Sequence, residues 1–320
     1  MTDAYLPLNS TSAHQTTDLR LVLGTAQLNM NYGIANRIGY PCLKTSEAVV
    51  ETALAGGIRV FDTAQAYGGS EKVMGTVFRR HRIENQVKVC SKIGPEIDLR
   101  SYSLLDQTVE RSIERLGIPA LHCLLLHKES LVNRLDEQTV CNLSSLTDSG
   151  RVRRIGISLY SPENASKALE TDIISAVQIP SNLLDRRFEA AGLFHRAKAL
   201  GKAIYVRSVF LQGLLLMKSE EIPPMMEFVK PIITEIEKIA RDNGLKREVL
   251  LLGYVRHAYP HAQIIIGAET PLQVRDDLRH WDAEFPNGLK TMLQERFREV
   301  EERILNPNLW PITEKKICTK

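Results

Sequence analysis

Eight short runs rich in β-branched and other apolar residues recur along the chain, each followed by a polar or glycine-containing loop and then an amphipathic helical stretch. The runs lie at residues 21–23, 58–61, 87–90, 121–126, 152–157, 174–178, 203–206 and 263–266. Helical periodicity falls between and after them, at 46–55, 71–80, 104–116, 135–148, 162–169, 188–200, 232–243 and 272–278. Short strands alternating with helices pair in parallel through right-handed crossovers. Eight such units in 320 residues favour a closed (β/α)8 TIM barrel over an open doubly wound sheet. No GxGxxG follows the first run, which removes the usual sign of a Rossmann nucleotide site. Two further helical stretches, 246–258 and 290–304, do not fit the alternation and are expected as accessory C-terminal helices outside the barrel. Residues 19–320 read as a single barrel domain, and 1–18 as a mobile N-terminal segment.

Composition narrows the function classes. Hydrophobic residues make up 43% and charged residues 25%, a globular balance rather than a disordered one. Against 38 Asp+Glu the chain carries 41 Lys+Arg, a net +3 with no long run of one sign. Nucleic-acid binding, which needs clustered cations, is not expected. The five cysteines (42, 90, 123, 141 and 318) have no CxxC spacing, and their odd count argues against a closed disulfide framework. With no apolar leader region and no membrane-length apolar stretch, the expectation is a cytoplasmic protein with no membrane partner.

In a barrel of this kind, chemistry sits at the C-terminal ends of the strands. Asp62 ends GIRVFD, Lys92 ends VKVCSK, His127 ends LHCLLLH, and Tyr67 follows Asp62 in the loop DTAQAYGGSE. Taken singly, each has a plainer reading: a helix cap, a solvated lysine, a histidine at the rim. Together, at the tops of consecutive strands, they suit one reaction. A tyrosine hydroxyl, with an ordinary pKa of about 10, is a poor proton donor or acceptor at neutral pH. A nearby ammonium stabilises the phenolate, and a carboxylate paired to that ammonium keeps it charged and oriented. A histidine beside them can hydrogen-bond a substrate oxygen. Such a set can protonate a carbonyl oxygen as hydride reaches its carbon, or run the reverse.

With these residues in place, the chain resembles the aldo-keto reductase superfamily, bacterial type. The matching stretches are LGTAQ at 23–27, GGIRVFDTAQAYGGSE at 56–71, VCSKIG at 89–94, LLLH at 124–127, GRVRRIGIS at 150–158, AVQIPSNLLDRR at 176–187 and IIGAETPLQVRDDL at 265–278. They cover nearly the whole chain after residue 19 in the family's order. The resemblance implies a catalytic tetrad of Asp62, Tyr67, Lys92 and His127, and NADP(H) or NAD(H) lying extended across the barrel top. For the cofactor it implies Gly24, Thr25, Ser158, Gln178, Arg207, Ser208, Gly213, Gly267, Thr270, Gln273, Asp276 and Asp277. No metal is expected.

Three departures from the family pattern stand out. Leu159 replaces the asparagine that would bind the carboxamide beside Ser158 and Gln178, and Asn182 is a candidate to cover the loss. Arg207 stands where an aromatic side chain would stack on the nicotinamide; its planar guanidinium can stack too. Glu269 and its neighbours offer no cation to an adenosine 2′-phosphate, with Arg275 the one nearby candidate, so the phosphate preference stays open.

The long loop after the first run brings Gln27, Met30 and Tyr32 to the pocket, with Lys128 and Asn182 from other strand tops. This mixed lining suits a small carbonyl or alcohol, such as a sugar-like aldehyde or ketone, and similar bacterial members are associated with carbohydrate building blocks. The alternative on the same fold is a catalytically weak, cofactor-sensing binding subunit. A metal-dependent hydrolase would need a His-x-His in the first run, which 21–25 lacks. Oligomeric state is not readable.

Overall fold

A computed structural model describes residues 19–311. Eight parallel strands close into a barrel in sequence order: β1 (Leu21–Gly24), β2 (Val60–Asp62), β3 (Lys88–Ile93), β4 (Cys123–Leu126), β5 (Ile155–Ser158), β6 (Ile174–Pro180), β7 (Ala203–Arg207) and β8 (Gln263–Gly267). Pairing of β1 with β8, from Leu21↔Ile264 to Gly24↔Gly267, completes the ring. The expected segment 1–18 lies outside the described residues.

Between the strands run α1 (Leu43–Ala55), α2 (Ser70–His81), α3 (Tyr102–Leu116), α4 (Glu137–Asp148), α5 (Pro162–Glu170), α6 (Arg187–Ala190), α7 (Leu193–Ala199), α8 (Lys230–Asp242) and α9 (Arg247–Ala258). After β8 come α10 (Pro271–Asp282), α11 (Leu289–Arg296) and α12 (Glu302–Leu305). Helix ends follow local chemistry. Asp136 caps α4 by accepting from Thr139 N, and Gly117, at φ +66°, closes α3 in the left-handed conformation that a side chain would resist. Among the described residues, no helix is long and apolar enough to cross a membrane.

The expected accessory helix at 246–258 is placed differently. Its counterpart α9 buries Val249 through Val255 without a break and packs between α8, α10 and α11, so it belongs to the helical layer. Continuous burial explains why its sequence carries no one-sided period. The one-sided helix between β7 and β8 is α8, which buries Ile233, Ile236, Ile239 and Ala240. The other expected accessory stretch, 290–304, is broken at Phe297 into α11 and α12.

Strand side chains alternate between two cores. One set, with Leu21, Leu23, Phe61, Val89, Leu124 and Leu126, packs outward against the helices. The other fills the barrel interior with Val22, Cys90, Cys123, Leu125, Ala176, Tyr205 and Ile265, flanked by Val60 and Ala203. That inner plug is the floor on which the site stands.

Candidate active site

Advancing two residues from the inner plug keeps a side chain pointing inward and lifts it to the barrel mouth. The step leads from Val60 to Asp62, from Cys90 to Lys92, from Leu125 to His127, from Ala176 to Gln178 and from Tyr205 to Arg207. On β8 and β1 it reaches Gly267 and Gly24, which open space instead of filling it. A Cβ at Gly267 would lie 2.3 Å from Gln27 Nε2, so a larger residue there would displace the Gln27 amide.

Asp62 and Lys92 are buried, at 5% and 2% exposure, so their charges are supported almost entirely by each other and by local hydrogen bonds. Lys92 Nζ donates to both Asp62 carboxylate oxygens, at 2.8 and 2.7 Å, and to Thr63 O at 2.9 Å. Gln178 Nε2 donates to Asp62 Oδ1 at 2.6 Å from β6. Burial alone pushes the Lys92 ammonium down, but the Asp62 carboxylate, with Tyr67 and the hydrogen bond, carries it above the ordinary lysine range.

Tyr67 sits on the β2–α2 loop. Gln65 anchors that loop by donating to Thr108 O and Ser112 Oγ of α3, and Thr63 Oγ1 meets Ser70 Oγ at 2.8 Å. The Tyr67 ring is thereby set over Lys92, with Nζ 5.0 Å from its centroid, and edge-on to His127 at 6.2 Å between ring centres. Burial, reinforced by the Lys92 charge, holds the His127 imidazole below its ordinary pKa, so it is neutral at neutral pH. The four tetrad residues named from the sequence thus come together at one spot.

From this spot a groove, with a cavity of about 350 Å³, runs across the mouth toward β8 and α10. Asp62, Tyr67 and Gln178 line one end, Arg207 through Phe210 with Gln212 and Gly213 the middle, and Gly267, Glu269, Gln273, Asp276 and Asp277 the far end. Tyr32, Gln27, Gly24 and Thr25 border it on the β1 side. Burial raises the Tyr32 phenol, with Arg207 opposing. A backbone bond from Ile34 N to Gln212 O, at 3.1 Å, ties the β1 loop to the β7 loop above the groove.

Most of the expected groove residues do line this space; Ser158, Thr270, Met30, Lys128 and Asn182 are not among its lining. Ser158 is buried at the end of β5, and Lys128 is exposed. Asn182 is the clearest case. It is buried and spent on the backbone: Nδ2 donates to Ser208 O, and Oδ1 accepts from Leu184 N and Asp185 N. Asn182 shapes the β6 loop and braces the β7 loop, with its Oδ1 and one of its two amide hydrogens taken by backbone. Arg207 has its guanidinium carbon 4.2 Å from the Tyr160 ring centre, and Nη2 reaches Leu159 O at 3.3 Å. Sequence reading passed over Tyr160, Glu248 and His280. The last two line the far end, and Glu248 arrives from α9, which has no motif to announce it.

Comparisons with known proteins agree with this architecture. The aldo/keto reductase family model matches residues 20–292. An aldo-keto reductase from Gibberella moniliformis is 27% identical over 190 residues, 55% of this chain and 55% of its own length. The Escherichia coli L-glyceraldehyde 3-phosphate reductase is 27% identical over 216 residues, 62% of this chain and 60% of its own length. The match thus spans little more than half of these curated relatives. Among solved structures, a holo aldo-keto reductase from Bacillus halodurans superposes with TM-score 0.72 at 19% identity, covering 90% of this chain and 95% of that one. One from Klebsiella pneumoniae, in complex with NADPH, gives 0.66 at 21% identity, covering 87% and 90%. With the family model extending from before β1 to within α11, the chain belongs to the aldo/keto reductase family.

Proposed function

We propose that the protein is an NAD(P)(H)-dependent oxidoreductase that interconverts a small carbonyl compound and its alcohol, with Tyr67 as the general acid and base. The observation that carries this reading is the Lys92 ammonium, doubly bonded to Asp62 and lying 5.0 Å from the Tyr67 ring centre, at one end of a long groove. The groove's course supports a dinucleotide: it leads from the tetrad past the small residues Ser208 and Gly213 to β8. Gln178 and Arg207 would hold the nicotinamide end, and Gly267 through Asp277 the adenosine end. A bound reduced nicotinamide supplies the hydride.

The rest of the chemistry belongs to this chain. Lys92, kept charged by Asp62, stabilises the Tyr67 phenolate that remains once the proton has gone to the carbonyl oxygen. Neutral His127, edge-on to Tyr67, hydrogen-bonds the same oxygen and fixes the carbonyl plane. Tyr32 and Gln27 present a phenol and an amide on the β1 side, a lining suited to a hydroxylated, sugar-like aldehyde or ketone. A complete tetrad around a charged lysine favours turnover over a purely cofactor-sensing role.

The test is reduction of an aldehyde panel with NADH and NADPH, comparing the wild type with Tyr67→Phe. The variant keeps the ring and should bind cofactor while kcat falls by about 10²–10⁴-fold. Wild-type turnover by folded Tyr67→Phe would remove Tyr67 from the proton path, and no turnover of any substrate by the wild type would leave the sensing role.

A further inference from the structure

The far end of the groove has the wrong chemistry for a phosphate. Glu248 from α9, Glu269 from the β8–α10 loop, and Asp276 and Asp277 from α10 all line it. Among the described residues no lysine lines the groove, its one arginine is Arg207 at the nicotinamide end, and the one basic side chain at the far end is His280, whose pKa burial lowers. Arg279 is paired to Asp276, and Arg275 is exposed and outside the lining. Asp277 is 7% exposed, faces the groove, and has no hydrogen bond or ion pair among the described residues.

The start of α10 could still have served an anion, because a helix N-terminus presents free N–H groups. Here most of those groups are occupied, with Leu272 N the one first-turn donor left over. Gln273 Oε1 accepts from Glu269 N at 2.6 Å and from Thr270 N at 3.3 Å, and Thr270 Oγ1 accepts from Gln273 N at 3.2 Å. Pro271, at the first helical position, has no N–H to give. The helix end is capped by its own side chains and flanked by Glu269.

We propose that this end of the groove accepts an unphosphorylated adenosine ribose, so that the protein works with NAD(H) in preference to NADP(H); this rests on the dinucleotide reading of the groove. A 2′-phosphate would be a dianion placed among acidic side chains with most of the nearby backbone donors already used. A ribose diol is the opposite case: its hydroxyls donate, and Glu269, Asp276 and Asp277 are acceptors within the lining. Asp277 is the strongest candidate partner for the adenosine, since it is a largely buried carboxyl that faces the groove with no protein partner among the described residues. Burial, with Glu248 and Asp276 adding to it, raises that carboxyl to about 8, so it can also donate near neutral pH.

The test is direct titration of the full chain with NADH and NADPH, and with ADP-ribose and 2′-phospho-ADP-ribose as probes of the adenosine end alone. In each pair the unphosphorylated ligand should bind about tenfold tighter or more, with the gap widening at low ionic strength. Glu269→Lys should narrow or invert the ratio in both pairs, and Glu269→Gln should narrow it less. Equal or tighter binding of the phosphorylated ligands by wild type would overturn the proposal. Discrimination between the two ADP-ribose probes without NADH binding would uphold this end of the groove and sink the reading of the nicotinamide end. If no probe binds, both readings fall together.

Discussion

Gln178 and Asp62 meet across the barrel mouth, amide to carboxylate at 2.6 Å, although β6 and β2 share no edge. The bond links the two halves of the proposed machinery. Asp62 holds Lys92 beneath Tyr67, while Gln178 borders the groove where a nicotinamide carboxamide would lie. Loss of the amide therefore perturbs both charge placement and cofactor binding. Gln178→Leu should weaken cofactor binding and lower kcat/KM, and should cost about 0.5–1.5 kcal/mol of stability, typical of one hydrogen bond. Titration, steady-state kinetics and thermal denaturation of the same preparation check the three parts, and an unchanged Kd would detach Gln178 from the cofactor.

Lys92→Met strands a buried carboxylate. Breaking a buried pair from one side typically costs about 3–5 kcal/mol, and the double variant Asp62→Asn/Lys92→Met should recover part of that loss. With the ammonium gone, the phenolate of Tyr67 loses its stabiliser, so the alkaline limb of alcohol oxidation should move to higher pH in whatever activity remains. The sign for stability is separate. Because the Lys92 pKa is raised on folding, the pair's contribution is complete below the ordinary lysine value of about 10.4 and fades only as pH climbs through the folded value. Denaturant midpoints measured across pH 7–11 in wild type and variant would expose any other pattern.

Arg207→Ala removes the guanidinium from Tyr160 and from Leu159 O. Cofactor affinity should fall by about tenfold, the scale of one charge-assisted contact. The Tyr67-governed pH limb should stay in place. Weaker binding with a shifted limb would mean that Arg207 acts on the proton path instead.

The Asp277 contribution should make the free protein more stable in mild acid than in mild base. Its folded pKa, raised to about 8 by burial and then by Glu248 and Asp276, exceeds the ordinary value of 3.8, so the folded state holds a proton that the unfolded chain releases. Stability falls as pH rises between those values. His280 faces the same end of the groove, and burial holds its imidazole below the ordinary histidine value. Asp277→Asn keeps the shape and removes the slope, and should stabilise the unliganded protein at pH 8 by about 1–3 kcal/mol. A flat wild-type profile between pH 5 and 8 would contradict the assignment.

The strands and the tetrad were legible because both rest on short-range pattern. Apolar runs ending in Asp62, Lys92 and His127 are visible one strand at a time, and the barrel's order then brings them together. The surroundings of Asn182 were not legible, for the opposite reason. Nothing in NLLD shows that the amide turns back on Leu184 N, Asp185 N and Ser208 O instead of facing the groove. Glu248 was invisible because its role depends on the packing of α9 beside α10, a contact between helices on either side of β8. The same burial hid α9 itself, since a helix covered on all sides loses the stripe by which helices are recognised.

The two-residue step from the inner plug to the barrel mouth sets which sequence changes a lineage of this protein can survive. Asp62, Lys92, His127, Gln178 and Arg207 point inward only because each is an even count from a plug residue. Deleting a single residue from β2, β3, β4, β6 or β7 would turn that strand's chemistry out into the helical layer and push an outward-packing side chain into the mouth. Insertions of any parity in the loops beyond those strands leave the count untouched. Length variation is therefore free to explore substrates from the loops, while the strands tolerate replacement but not a change of frame.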